Sequence, residues 1–263
     1  MTDLEIARSV SHNHIFEVAQ ALGIPSEDLI PFGRYKAKIA PHFVTRVKNR
    51  PLGRYILVTA INPTPLGEGK TTTSVGLSMG LCRLGHNAAV TLRQPSLGPV
   101  FGIKGGGTGG GRAQVWPMED INLHFTGDAH AVSASHNLLS AFVDNHLFHG
   151  NALKLDPKSI RWPRTLGVSD RALRDIVLSA EASPRPGQFV ITEASEIMAV
   201  LALATDHADL RQRLGRILVG LTESGAMTTA EAFGCVGSMA VLLKDALLPN
   251  LVQTLEGTPA FVH

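Results

Sequence analysis

Four consecutive segments between residues 55 and 92 limit most strongly what this chain can fold into. Residues 55–61 form a β-branched, apolar run with the composition of a strand buried on both faces. A loop rich in proline and glycine follows, Thr64-Pro65-Leu66-Gly67-Glu68-Gly69-Lys70-Thr71. Residues 70–84 then place small and apolar side chains at helical spacing, and Gly85 closes the segment. Residues 87–92 make a second apolar strand. The order strand, loop, helix, strand is the βαβ unit of a parallel sheet, with a right-handed crossover.

A loop in that position turns its backbone N–H groups toward phosphate, and the helix behind it adds the positive end of its dipole. Gly67 and Gly69 allow positive φ and close approach of phosphate to the main chain. Lys70 can reach the β- and γ-phosphates, and the Thr71 hydroxyl can ligate Mg²⁺. The pattern departs from the usual loop at its first position, where Thr64 stands in place of glycine. The expected fold is α/β and P-loop NTPase-like, with a mainly parallel sheet flanked by helices. Residues 1–263 read as one nucleotide-binding region without a linker or internal repeat. The loop by itself specifies only a nucleoside triphosphate, because kinases, GTPases, partition ATPases and ligases all use it.

Elsewhere, helices are expected over residues 6–22, with Ile15, Val18, Ala19 and Leu22 on one face, and over 133–149, 169–180, 193–214 and 236–247. Ser26 is placed to cap a short helix, residues 34–54 read as basic and irregular, and 216–221 as a strand. With 44% hydrophobic and 17% charged residues, composition is that of a globular chain. A formal net charge of +2 demands no nucleic-acid partner. The acidic amino terminus is unlike a signal peptide, and apolar stretches such as 197–204 are too short to span a bilayer, so the expected location is cytoplasmic with no membrane partner. Cys82 and Cys235 read as two buried thiols.

Immediately after the second strand comes Arg93-Gln-Pro-Ser-Leu-Gly-Pro99. Open α/β sheets bind ligands at the carboxyl ends of their strands, so Arg93 is placed to turn its guanidinium toward an anion beside the γ-phosphate. The bland reading is an arginine paired to a surface acid. Six glycines among residues 105–111 either wrap a ligand or flex. The string Met118-Glu-Asp-Ile-Asn-Leu-His-Phe-Thr-Gly-Asp128 gathers Glu119, Asp120, His124 and Asp128. It can hold Mg²⁺ through carboxylate and water, or serve equally as caps and turns.

Several long strings, in order, resemble the formate–tetrahydrofolate ligase family of the bacterial single-function type. They are residues 64–73, Pro95-Ser-Leu-Gly-Pro99 with Phe101-Gly-Ile-Lys-Gly-Gly106, residues 117–128, Asp170-Arg-Ala-Leu-Arg174, Ala194-Ser-Glu-Ile-Met-Ala199, and residues 250–263. The resemblance implies that formate, Mg-ATP and tetrahydrofolate give 10-formyltetrahydrofolate, ADP and phosphate by way of formyl phosphate. It implies that Lys70 steadies the transferred phosphoryl group, that Arg93 holds formate and then formyl phosphate, and that Thr71 binds Mg²⁺ with Asp128 as a further candidate. It also implies a monovalent-cation site and a homotetramer.

Two departures matter. Gln94 stands where the family usually carries an acid, and the chain ends at His263 inside a run that the family continues. The expectation is therefore an amino-terminal portion lacking most of the folate-binding part. Two other readings stay open: a nucleotide-binding fragment without catalysis, and a partition- or maturation-type ATPase. The latter is weakened because Thr64, Pro65 and Leu66 occupy the place of that group's extra lysine.

Overall fold

A computed structural model of the chain describes residues 1–62, 64, 67–97, 107–178 and 184–263. The fold is mixed α/β, and it divides into two compact units, Met1–Thr126 with Leu248–His263, and Gly127–Leu247.

The first unit contains, in chain order, α1 (Asp3–Arg8), α2 (Ile15–Ala21), β1 (Leu29–Pro31), β2 (Ala37–Ile39), α3 (Pro41–Val47), α4 (Lys70–Arg83), β3 (Val90–Leu92), β4 (Gly109–Gly110), β5 (Ala113–Trp116) and α5 (Met118–Asn122). The helix expected over 6–22 is thus two helices. The chain between them, rich in Ser, His and Asn, favours caps over helix interior. Each helix opens on its own capping box, Thr2 with Glu5 and His14 with Glu17. The basic stretch 34–54 is also more ordered than expected, since it contains β2 and α3.

In the second unit lie α6 (Asp128–Phe148), β6 (Arg164–Leu166), β7 (Ile176–Leu178), β8 (Arg185–Gly187), β9 (Phe189–Ile191), α7 (Glu196–Leu203), α8 (His207–Gly215), β10 (Leu218–Leu221), β11 (Met227–Thr229) and α9 (Val236–Leu242). Its core packs Val132, Leu139, Val143, Ile197, Leu210, Leu214 and Met239. The helix expected over 193–214 breaks between α7 and α8, where Asp206 accepts the Asp209 N–H at 2.9 Å and starts a new helix. Residues 169–178 hold a short 3₁₀ turn and β7 in place of the expected helix, because the β-branched Ile176 and Val177 pair with β8. Residues 179 and 180 lie outside the described residues.

The chain returns to the first unit through β12 (Asn250–Thr254) and β13 (Pro259–Val262). These two strands organise the sheet, whose order is β1-β2-β12-β13-β3, with β5 on β12 and β4 on β5. Every residue of β12 is buried, and the side chains alternate between two cores. Leu251 joins Ile15, Val18, Ala19 and Phe43 beneath α2 and α3. Val252, with Ala260 and Val262, faces Val75, Met79 and Ile121 of α4 and α5.

The expectation of a mainly parallel sheet is met in this sheet only where β13 pairs with β3; its other described pairings are antiparallel. The expected strand at 55–61 is not formed. Tyr55 is 82% exposed and Ile61 99% exposed. The parallel partner of β3 comes instead from the far end of the chain, as part of a hairpin already buried on both faces. Among the described residues no helix is long and apolar enough to cross a membrane. Both cysteines are free, Cys235 buried and Cys82 half-buried.

Candidate phosphate-binding site

The site begins at two left-handed glycines, Gly67 at φ +86° and Gly69 at φ +68°. No neighbour crowds a Cβ placed at Gly69, so the requirement there is conformational rather than spatial. Gly67 donates its N–H to the Thr64 carbonyl at 3.1 Å, which tightens the loop. The Gly69 carbonyl accepts the Thr73 N–H at 2.9 Å and starts α4.

Gly69 is the helix N-cap and offers no side-chain acceptor. The first N–H groups of α4 therefore lack the usual cap and point out of the helix, where the dipole favours an anion. Lys70, Thr71 and Thr72 stand in that first turn. Pro65 and Leu66, also expected to contact nucleotide, lie outside the described residues.

Arg93 follows β3 directly. The strand β3 packs against α4, the helix that begins at Lys70. The next residue after Arg93, Gln94, is only 5% exposed. The Gln94 N–H donates to the His263 carbonyl at 2.7 Å, while the His263 N–H donates to the Leu92 carbonyl at 3.0 Å, prolonging the parallel ladder past both strands.

Beyond residues 98–106, which lie outside the described residues, the glycine-rich run is a built element. Gly109 has φ +92°, and a Cβ there would sit 2.1 Å from the Ala113 carbonyl oxygen, so the β4–β5 turn admits only glycine. Gly111 donates to Asp3 Oδ1 at 2.9 Å, and Gly107 to Asn122 Oδ1 at 3.2 Å. The hairpin packs on α4, the helix that begins at Lys70.

The acidic string 118–128 separates into different jobs. Glu119 pairs with Arg8 at 2.5 Å, and Asp120 pairs with Lys36 at 2.5 Å. Asp128 belongs to the second unit, where it is buried in the first turn of α6, the end at which a helix favours an acid. His124 and Asp128 both have interaction partners.

Among the described residues no group of three or more His, Cys, Asp or Glu forms a metal cluster. Thr71, in the first turn of α4, carries a hydroxyl, a hard oxygen. That fits Mg²⁺ held largely by phosphates and water rather than by a protein cage. Glu68, Asp3 and Asn122 shape this site, and of these only Glu68 was singled out from sequence, as part of the loop. Asp3 and Asn122 give no local signal, because each acts on a segment distant in the chain.

A family model described as formate–tetrahydrofolate ligase matches residues 1–263. A formate–tetrahydrofolate ligase of Cereibacter sphaeroides is 56% identical over 266 residues, an alignment that covers 100% of this chain and 48% of that protein. Relatives with the same name from Rhizobium rhizogenes and Maricaulis maris are 56% and 54% identical with the same coverage. The chain spans about half the length of these curated relatives.

Proposed function

The chain belongs to the formate–tetrahydrofolate ligase family, and from this we propose that it handles ATP and formate in the ligation of formate to tetrahydrofolate. The observation that carries the reading is the uncapped start of α4 behind the left-handed Gly67 and Gly69, with Lys70 and Thr71 in its first turn. This supports a P-loop NTPase-like nucleotide site. In the proposed reaction a formate oxygen attacks the γ-phosphorus of ATP, giving formyl phosphate and ADP. The folate N10 amine then attacks the formyl carbon, phosphate leaves, and the nitrogen loses its proton to give 10-formyltetrahydrofolate.

Formate needs this activation because its carboxylate is charged and resonance-stabilised. Protein nucleophiles are unnecessary, so the work of the chain is positioning and neutralising charge. Thr64 and Gly67 to Thr71 surround the phosphates, with Pro65 and Leu66 completing the loop. Lys70 offsets charge on the transferred phosphoryl group. Arg93, which follows β3, holds the formate carboxylate and then formyl phosphate through its planar fork. Mg²⁺, when bound with ATP, neutralises the β- and γ-phosphates, and Thr71 is its proposed ligand. A monovalent cation, a homo-oligomer and a cytoplasmic location follow from the family by the same reasoning.

A second reading is favoured by one observation: the chain covers 48% of its relative from Cereibacter sphaeroides. On that reading it binds nucleotide without completing formyl transfer. The purified 263-residue chain is incubated with formate, Mg-ATP and tetrahydrofolate, and with each omitted in turn. After acid, the formyl product cyclises to an absorbing methenyl form. Product that requires all three substrates supports the ligase; retained ATP binding without product supports the second reading.

A further inference from the structure

Glu68 and Lys70 flank Gly69, and the left-handed turn at that glycine brings their side chains together. Lys70 Nζ lies 2.5 Å from Glu68 Oε2. The other carboxylate oxygen, Oε1, accepts the backbone N–H of Thr64. A single carboxylate thus gathers the ammonium at the head of the helix and an amide at the start of the loop. Those are the two kinds of donor that a loop of this type presents to phosphate.

The contact also sets the charge state. The Lys70 hydrogen bond, and then the Thr64 N–H, hold the Glu68 carboxyl at about 2, so it is ionised at neutral pH. An ionised carboxylate and a phosphate oxygen gathered at one ammonium and one amide repel each other, an effect that solvent screens at this exposed loop. Entry of a phosphate at Lys70 therefore favours displacement of Glu68.

We propose that Glu68 is a positioning residue whose carboxylate occupies the donors that phosphate would use, holding Lys70 there until a nucleotide displaces it. This rests on the ATP-binding reading of the loop and adds that ATP binds by exchange. Phosphate replaces a carboxylate already in place, and the lysine is held over the loop rather than extended into solvent. The cost of breaking the pair falls only on ligands long enough to reach Lys70. ATP bears it, while a nucleoside monophosphate, without β- and γ-phosphates, does not.

The test is titration calorimetry of ATP and AMP with the 263-residue chain as wild type, Glu68→Gln, Glu68→Ala, Lys70→Ala and the Glu68→Gln/Lys70→Ala double variant. Glu68→Gln should tighten ATP about two- to fivefold, the equivalent of one exposed ion pair, and leave AMP unchanged. Glu68→Ala should behave the same way, which excludes a special effect of the amide. In the Lys70→Ala background the Glu68→Gln gain should vanish, because no ammonium remains to be released. Unchanged or weaker ATP binding by Glu68→Gln, with Lys70→Ala still damaging, overturns the inference and leaves the loop reading standing. An equal gain in the Lys70→Ala background also overturns it, since it would reflect repulsion of phosphate alone. If Lys70→Ala does not weaken ATP binding, the loop reading fails together with the inference.

Discussion

The Ser195 hydroxyl donates to His136 Nδ1 at 2.8 Å and accepts the Ile197 N–H at 3.1 Å, so one oxygen joins a buried imidazole to the start of α7. The other ring nitrogen, Nε2, lies 2.9 Å from the Pro163 carbonyl, which can only accept, and this fixes the proton on Nε2. His136 is 1% exposed and stacks on Trp162 at 4.0 Å. Burial pushes its pKa down to about 4, opposed by the Pro163 hydrogen bond.

The unfolded state therefore binds more protons than the folded one between about pH 4 and the ordinary histidine value of about 6.5. The stability this histidine gives the second unit is complete above the upper value and is lost as pH falls toward the lower one. The loss is on the order of 3 kcal/mol. Melting curves of the wild type from pH 7 to pH 4 should fall more steeply than those of His136→Gln. Parallel curves for the two proteins would show that His136 titrates freely in the fold.

Asp144 of α6 bridges two arginines, Arg164 of β6 and Arg185 of β8, the latter at 2.6 Å. The Arg185 side chain is only 5% exposed, so removing its carboxylate strands a charge in a place water hardly reaches. Asp144→Ala should cost about 3 kcal/mol in chemical denaturation, near the low end for breaking a buried pair. Adding Arg185→Met to that variant should recover most of the loss. No recovery would mean that Asp144 acts mainly through the more exposed Arg164.

Arg93 follows β3 whereas Lys70 opens α4, and the proposed roles of the two can be separated experimentally. Arg93→Ala should leave ATP affinity within about twofold, because the loop and helix end are intact. Formate-dependent ADP release should fall by at least tenfold, the loss expected when a charge-assisted contact to a carboxylate is removed. Equal losses in ATP binding and turnover would place Arg93 on the nucleotide or in the scaffold.

The glycine turn that opens α4 was legible because its demands are local. Left-handed φ at Gly67 and Gly69 leaves little choice of residue, and α4 follows within the same run of sequence. The sheet was not legible for the opposite reason. Val90 pairs with Ala260, and the composition of residues 55–61 suits a strand as well as that of β13 does. Burial of β12 on both faces was also hidden, because Asn250, Gln253 and Thr254 look like surface residues until their partners are known. Asn250 Nδ2 donates to the Val262 carbonyl, and Gln253 exchanges hydrogen bonds with the backbone of Asn13. Polar strands of this kind reveal themselves only through contacts remote in sequence.

Gln94 extends the parallel edge of this sheet. Its backbone extends the ladder between β3 and the chain end, and the residue is only 5% exposed. The family resemblance read from the sequence implies an acid at this position. Gln94→Glu changes little in shape but places a carboxylate where water is scarce, which is unfavourable without a cation partner. In buffer lacking Mg²⁺ and K⁺, the variant should melt several degrees below the wild type at pH 8, and the gap should close at pH 5 as the carboxyl is neutralised. Adding Mg²⁺ or K⁺ at pH 8 should restore the melting temperature of the variant and leave the wild type nearly unchanged. Such a response would identify position 94 as a cation partner that this chain has given up. A cation-independent difference would mean that the glutamine serves only to join β3 to the end of the chain.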